Sequence, residues 1–197
     1  LFNAGEYLMR QNLIKLICIV VIVFASWQLI DYFFTYDKVE QQEEELQQKI
    51  TTSSLNQLQG QYEDMVGWIK IENTKVDYPI MQATNNEFYL THNYEGDKLR
   101  AGSIFLDYRN DPSLGDRHSI IYGHDLRNGS MFGQLHRYED QSFADSNRYF
   151  TIDLGNEVVT LEVFAAYQTT TDFYYIETVF TNESYEQFIE TIINKSA

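Results

Sequence analysis

Four histidines are the side chains in this sequence that are best suited to proton transfer: His92, His118, His124 and His136. No spacing to Cys, Asp or another His predicts a metal site, and no metal or other cofactor is expected. His124 has an unusual setting, because it follows the apolar stretch 120–122 and Gly123 and precedes Asp125. A rigid strand presents the side chain at its end to a cleft, so His124 is a candidate functional residue. A structural histidine with satisfied hydrogen bonds is the alternative.

The neighbours of His124 leave several interpretations open. Asp125 is a candidate for orienting the imidazole, or it caps the helix that follows. The single cysteine, Cys18, lies in an apolar run and is not a candidate nucleophile. Ser119 and Ser130 are near in sequence, but neither lies on the strained turn of a Gly-x-Ser-x-Gly motif. A serine hydrolase is therefore the weakest of the alternatives.

Composition excludes several classes of protein. The 197 residues contain 14 Lys and Arg against 29 Asp and Glu, a net charge of −15, which argues against binding to nucleic acid. One cysteine cannot form an intramolecular disulfide, so a disulfide-stapled scaffold is excluded. With 15 Tyr and 13 Phe, the chain is too aromatic for a disordered acidic tail. A globular domain is expected.

Residues 13–30 form an apolar run whose only charge is Lys15. This length suits a transmembrane helix of about 20 residues. Arg10 and Lys15 lie at its start and Asp31 and Asp37 follow it, so segment 1–12 is predicted to be cytoplasmic and the rest extracellular. A cleaved signal peptide is the alternative, but the bulky Trp27 stands where a small residue is needed. We therefore expect a single-pass anchor in the cell membrane.

The Gln- and Glu-rich segment 31–61 is predicted to be a helical stalk, broken near residues 51–54, where poor helix formers occur. Residues 62–197 form the expected domain. Short strands are predicted at 68–71, 76–81, 103–107, 119–122, 149–154 and 157–168. Helical turns are expected at 86–90 and 130–138, and an amphipathic helix at 183–195 with Asn182 as N-cap. The fold class is mainly β: a mostly antiparallel barrel with inserted and N-terminal helices.

Segments in the same order along the chain resemble the class B sortases. They are VDYPIMQ (76–82), NNEFYL (85–90), AGSIFLDY (101–108), YGHD (122–125), NGSMF (128–132) and TTTDFYYI (169–176). The membrane anchor and helical lead-in also match. The resemblance covers essentially the whole chain, and the ordered set is more specific than any one motif.

The resemblance implies a Gram-positive, cell-wall cysteine transpeptidase on an eight-stranded barrel. A thiolate attacks the Thr carbonyl of an Asn-Pro-x-Thr sorting signal in a secreted protein, and a peptidoglycan amine resolves the thioester. His124 carries over as the catalytic acid/base. Positions near the active site or in the substrate groove carry over as Asn86, Leu90, Thr171, Tyr175 and Ile176.

The sequence departs from the family pattern at its end. The family's nucleophilic Cys and its Arg follow the last helix of this chain, so the sequence is expected to be truncated before both and inactive alone, with an incomplete barrel. Asp125 stands where Asn is common, which puts its bond to the imidazole in doubt. The alternative from another class is a non-catalytic barrel that binds an extended peptide at the cell surface.

Overall fold

The computed structural model describes residues 4–196. It divides after Gln41 into two compact units, each of which is described here by itself. The helix α1 is Ala4–Thr52 and α2 is Leu55–Gln61. The predicted break in the stalk is confirmed at Ser53 and Ser54. The second helix begins there because the backbone N–H of Ser54 donates to Gln57 Oε1 at 3.0 Å, as in a capping box.

The first unit is a helix whose side chains from Met9 to Phe34 are exposed. The range Met9–Ile50 contains an 18-residue window with a mean hydropathy of 2.5, long and apolar enough to cross a membrane by length and composition. A signal sequence meets the same criteria. The anchor expected at 13–30 and the boundary of the stalk therefore stay predictions.

The second unit is built on a curled six-stranded sheet with helices around it. Its strands are β1 (Met65–Lys70), β2 (Asp77–Met81), β3 (Ile104–Leu106), β4 (Ile121–Tyr122), β5 (Tyr149–Asp153) and β6 (Val158–Glu162). Their order is β4-β3-β2-β1-β5-β6, with β2 and β3 parallel and the other pairs antiparallel. The predicted mainly-β, mostly antiparallel architecture is confirmed as a half-barrel.

Apolar side chains from the sheet and from α2 form the core. Leu58 of α2 packs with Trp68, Met81 and Phe105 of the strands, and each of these side chains is buried. Burial of each such side chain contributes about 1.5–3 kcal/mol. The core thus holds β1, β2 and β3 together and fixes the strand ends from which the loops begin.

The remaining helices are short except the last. Two 3-10 helices lie at Phe88–Leu90 and Leu135–Glu139, close to the predicted helical turns, and α3 (Gln141–Ser146) was not predicted. The final helix, α4, is Asn182–Lys195. Its N-cap is Thr181 and not Asn182, because the Thr181 hydroxyl accepts from the backbone N–H of Ser184 at 3.1 Å.

The strand predicted at 157–168 is too long, since β6 ends at Glu162. Its partner β5 begins at Tyr149, which pairs with Glu162, and one further backbone bond joins Val163 to Arg148 at 2.8 Å. The residues before Arg148 belong to α3 and the turn that follows it, so they cannot continue the pairing with β6. The side chains of residues 163–168 still alternate between half-buried and exposed, as in an extended segment. No strand among the described residues pairs with this segment on the β5 side.

Candidate active site

The imidazole of His124 lies directly after β4 and is held by a backbone group. Its Nε2 donates to the carbonyl oxygen of Leu90 across 2.9 Å. Because a carbonyl only accepts, this bond places a proton on Nε2 and leaves Nδ1 as the acceptor of the neutral ring. The ring is partly exposed. This arrangement suits an acid/base whose Nδ1 takes up and releases a proton.

The loop after His124 closes tightly on itself. The backbone N–H of Phe132 donates to the His124 carbonyl at 3.0 Å, and Asp125 forms a β-bridge with Met131. The N–H of Met131 in turn donates to the hydroxyl of the buried Tyr78 at 3.1 Å. These bonds hold the backbone of residues 124–132 to the sheet, which limits the movement of His124.

Leu90 is the last residue of a 3-10 helix that is held in place through the side chain and the carbonyl of the preceding Tyr89. Tyr89 is buried, and its hydroxyl donates to Asp64 Oδ2 at 2.8 Å, while its carbonyl accepts from the N–H of Ser103 at 2.9 Å. Gly102 has φ +60° and lies beneath this turn so closely that a Cβ there would overlap the Tyr89 carbonyl oxygen and lie 2.8 Å from that of Leu90. The acceptor of the His124 bond is therefore rigidly placed.

A second polar cluster lies at the end of β3, around the fully buried carboxylate of Asp107. Arg109 donates to it through Nε and Nη2, at 2.8 Å to Oδ1 and 2.8 Å to Oδ2 respectively. Asn86 Nδ2 and the Tyr122 hydroxyl also donate to Oδ2, at 2.8 and 2.9 Å. The carboxylate is thus satisfied from three separate segments of chain.

The charges of this cluster are stable across the physiological range. Burial alone raises the pKa of Asp107, but the hydrogen bonds from Arg109, Asn86 and Tyr122 outweigh it and hold the pKa well below its usual value. The hydrogen bond to Asp107 raises the pKa of Arg109. Burial, together with the hydrogen bond to the same carboxylate, raises the pKa of Tyr122. The pair stays ionised, and the phenol keeps its proton to donate.

The loop 169–181, which we call the groove-wall loop, carries three predicted substrate residues. Thr171 and Tyr175 lie on its exposed surface and Ile176 is half-buried. Arg109 Nη2 donates to the Ile176 carbonyl at 2.9 Å, and His118 Nδ1 donates to the carbonyl of Glu177 at 2.6 Å. The backbone of this loop is therefore attached to the segments that follow β3 and precede β4.

The structure groups the predicted residues into two connected sets. Leu90 meets His124, whereas Asn86 and Ile176 belong to the Asp107 cluster. Asp125 is exposed, and the ring bond of His124 goes to Leu90 rather than to Asp125. Orientation of the ring by Asp125, like the substrate roles of Thr171 and Tyr175, stays a prediction.

Two residues of the site were not found by reading the sequence. Arg109 and His118 both donate to carbonyls of the groove-wall loop. The signal available for Arg109 was its spacing from Asp107, because an Asp side chain in a turn commonly accepts from the backbone N–H two residues on, as the Arg109 N–H does here at 2.9 Å. No comparable signal existed for His118, whose partner is a backbone atom 59 residues away.

The position of Ser130 does not support a serine hydrolase, because this residue is buried, with 1 % of its surface exposed. Among residues 4–196, no group of three or more His, Cys, Asp or Glu side chains is arranged to hold a metal ion.

Comparison with known proteins identifies the family. A model of the sortase domain matches residues 69–190. Sortase B of Listeria monocytogenes is 46 % identical over 143 residues, which cover 72 % of this chain and 58 % of the relative. A sortase B-like protein of Bacillus anthracis superposes with a TM-score of 0.68 at 48 % identity, over 72 % of this chain and 66 % of that one.

A Staphylococcus aureus sortase B–substrate complex superposes with a TM-score of 0.69 at 34 % identity, covering 81 % of this chain and 76 % of that structure. The chain spans less than two thirds of the Listeria relative's length. The residues that the family model matches nevertheless include the end of β1, the strands β2 to β6, the loop of His124 and the groove-wall loop. The chain belongs to the sortase family, and its relatives place it with the class B enzymes.

Proposed function

We propose that this chain carries the acid/base and one groove wall of a sortase B-type cysteine transpeptidase. Its substrate is an Asn-Pro-x-Thr sorting signal of a secreted protein, and its acceptor is an amine of the cell wall. The observation that carries the proposal is the His124 ring held by the Leu90 carbonyl at 2.9 Å. Membership of the sortase family and the S. aureus substrate complex support the choice of a peptide substrate.

His124 acts on the leaving amine. A thiolate sulfur bonds to the Thr carbonyl carbon, the peptide C–N bond breaks, and the protonated imidazole gives its Nδ1 proton to the departing nitrogen. The incoming amine then bonds to the thioester carbonyl carbon, the C–S bond breaks and returns the thiolate, and the neutral ring takes up a proton from the amine. With Nε2 held by Leu90, the same nitrogen serves both half-reactions without rotation of the ring.

The nucleophile and the oxyanion-stabilising arginine come, in this proposal, from outside these 197 residues. The one cysteine present, Cys18, lies in the apolar helix. Arg109 is committed to Asp107 and to the Ile176 carbonyl. The 197-residue chain by itself is therefore expected to be inactive.

The apolar helix anchors the protein in the cell membrane, with a cytoplasmic amino end and an extracellular domain. The run 13–30 has the length for one crossing, with basic residues before it and acidic residues after it. The partners are thus the membrane, the sorting-signal peptide and the cell-wall amine. Nucleic acid is not among them, because the net charge is −15.

The test compares this chain with a version extended through the family's Cys and Arg segment, using an Asn-Pro-x-Thr peptide and an amine acceptor. We expect thioester and transpeptidation product from the extended protein only. His124→Ala in that protein lowers kcat by about 10²–10⁴-fold. His136→Ala is the matched control, because among residues 4–196 the hydrogen bond of its ring goes to its own turn, at the Gly133 carbonyl.

Thioester formation by the 197-residue chain would refute the assignment of roles. Peptide binding without cleavage by the extended protein would instead identify a peptide-binding barrel.

A further inference from the structure

We infer that Asp107 and Arg109 form a clamp that positions the groove-wall loop relative to His124. The inference rests on the proposed function for the meaning of the groove, while the clamp itself is defined by contacts. Neither residue touches the reacting atoms in this proposal, so both are positioning residues. They extend the site beyond the side chains that line the groove.

Arg109 is the member that reaches the loop. Its guanidinium places two N–H groups on Asp107 and directs Nη2 also to the Ile176 carbonyl at 2.9 Å. A planar fork with several fixed donors can serve a carboxylate and a carbonyl at once, which an ammonium group on a flexible stem cannot do with the same geometry.

Asp107 gives the clamp a fixed base. Its carboxylate is fully buried at the end of β3, and the Arg109 backbone N–H also donates to Oδ1 at 2.9 Å. The orientation of the guanidinium therefore follows from the sheet. Because the Arg109 side chain is 29 % exposed, its outer face remains available to the groove-wall loop.

The same carboxylate contacts both segments that place the imidazole. Tyr122, which donates to Asp107, is two residues before His124. Asn86, which also donates to it, is four residues before Leu90, whose carbonyl accepts from the ring. One buried anion thus links the acid/base, the acceptor that orients it and the opposite wall of the groove.

The loop has a second attachment, which makes the expected effect local. His118 holds the Glu177 carbonyl, and its ring packs against Phe180 and Phe188 with centroids 5.8 and 5.0 Å away. Phe173 is held separately, because its ring stacks on that of Phe188 with centroids 5.8 Å apart. Release of Arg109 should therefore free residues 174–176 and leave Phe173 and the part after Glu177 in place.

Limited proteolysis with chymotrypsin reads this segment directly, because Tyr174 and Tyr175 are cleavage sites within it. We compare the 197-residue chain with Arg109→Lys, which keeps the charge and removes the fork. The matched control is Arg148→Lys, the same change in an exposed pair with Glu162 on β6. We expect cleavage after Tyr174 and Tyr175 to accelerate about tenfold in Arg109→Lys alone.

Cleavage after Phe143 and Phe188, together with the thermal transition, shows whether the variant remains folded. Asp107→Asn provides a second variant with the same local expectation. In the extended protein, Arg109→Lys should raise KM for the sorting peptide about fivefold or more and leave kcat within about twofold, because a mobile wall weakens substrate positioning.

The outcomes separate the clamp from the proposed function. Unchanged cleavage after Tyr174 and Tyr175 overturns the clamp whatever the peptide assay gives. Faster cleavage with an unchanged KM overturns the positioning role. Faster cleavage in an extended protein that does not act on the peptide supports the clamp and refutes the proposed function alone.

Discussion

Replacement of Gly102 by alanine should disturb His124 without touching it. Gly102 has φ +60°, a conformation that an L side chain rarely adopts, and its missing Cβ leaves room for the 3-10 turn above it. An added methyl would overlap the Tyr89 carbonyl oxygen and lie 2.8 Å from the Leu90 oxygen. These are backbone atoms, so relief requires displacement of the turn itself.

Two costs contribute to the loss of stability. Left-handed backbone costs a residue with a Cβ about 1–2 kcal/mol, and the close contacts add about 1–3 kcal/mol. We expect the free energy of unfolding of Gly102→Ala to fall by about 3 kcal/mol. At roughly 3 °C per kcal/mol for a domain of this size, the melting temperature should fall by about 10 °C.

The matched control is Gly96→Ala. Gly96 also has positive φ, at +85°, but beyond its chain neighbours no atom lies within 4 Å of the position that an added methyl would occupy. Its substitution carries only the backbone cost of about 1 kcal/mol. Nitrogen-15 NMR of the histidine rings gives the local readout: the His124 resonances should shift in Gly102→Ala and stay in place in Gly96→Ala. Equal loss of stability in the two variants, or unmoved His124 resonances, would refute the reasoning.

Three further outcomes are expected. Gly60→Ala should stabilise the protein by about 0.5–1 kcal/mol in urea unfolding, because Gly60 lies in α2 with open space around it; a loss of stability would contradict that placement. Met81→Ala, at a fully buried position, should cost about 2–5 kcal/mol by the same measurement, and a cost below that of an exposed truncation such as Val158→Ala would contradict it. The stability difference between the native chain and Asp107→Asn should be constant above about pH 4 and shrink below it. Asp107 has a lowered pKa, so its contribution to stability is lost only as the pH falls toward its pKa in the folded state. A change of the difference between about pH 5 and pH 8 would exclude this titration.

The strands could be predicted from local patterns, but their arrangement could not. Apolar alternation around a turn was enough to locate β1 and β2, which pair with each other. The pairing of β1 with β5 joins Trp68 to Asp153, and no signal in either segment specifies the other. Local periodicity also overextended β6, because the end of a strand depends on where its partner ends.

The site was predicted unevenly for a related reason. His124 was singled out by its position at a strand end, but only the family resemblance made it a catalytic candidate, because a lone histidine is more often structural. Asn86, Leu90 and Ile176 were expected from the family resemblance as residues of the active site or groove. The structure shows an additional use for each: the Asn86 amide binds Asp107, and the other two contribute carbonyl oxygens. Every residue has a backbone carbonyl, so the type of a residue does not reveal that its carbonyl oxygen accepts a functional hydrogen bond.

The residues that constrain these carbonyls are therefore found elsewhere in the sequence. The Leu90 oxygen is placed by Tyr89 and by the absence of a side chain at Gly102, and the Ile176 oxygen by Arg109. A change of the Leu90 or Ile176 side chain alters the surface of the groove but keeps the acceptor. A change at Gly102 or Arg109 moves or releases the acceptor although neither side chain lines the groove. The geometry of this site consequently depends more on a glycine and on the ion pair of Asp107 and Arg109 than on the side chains that are proposed to line the groove.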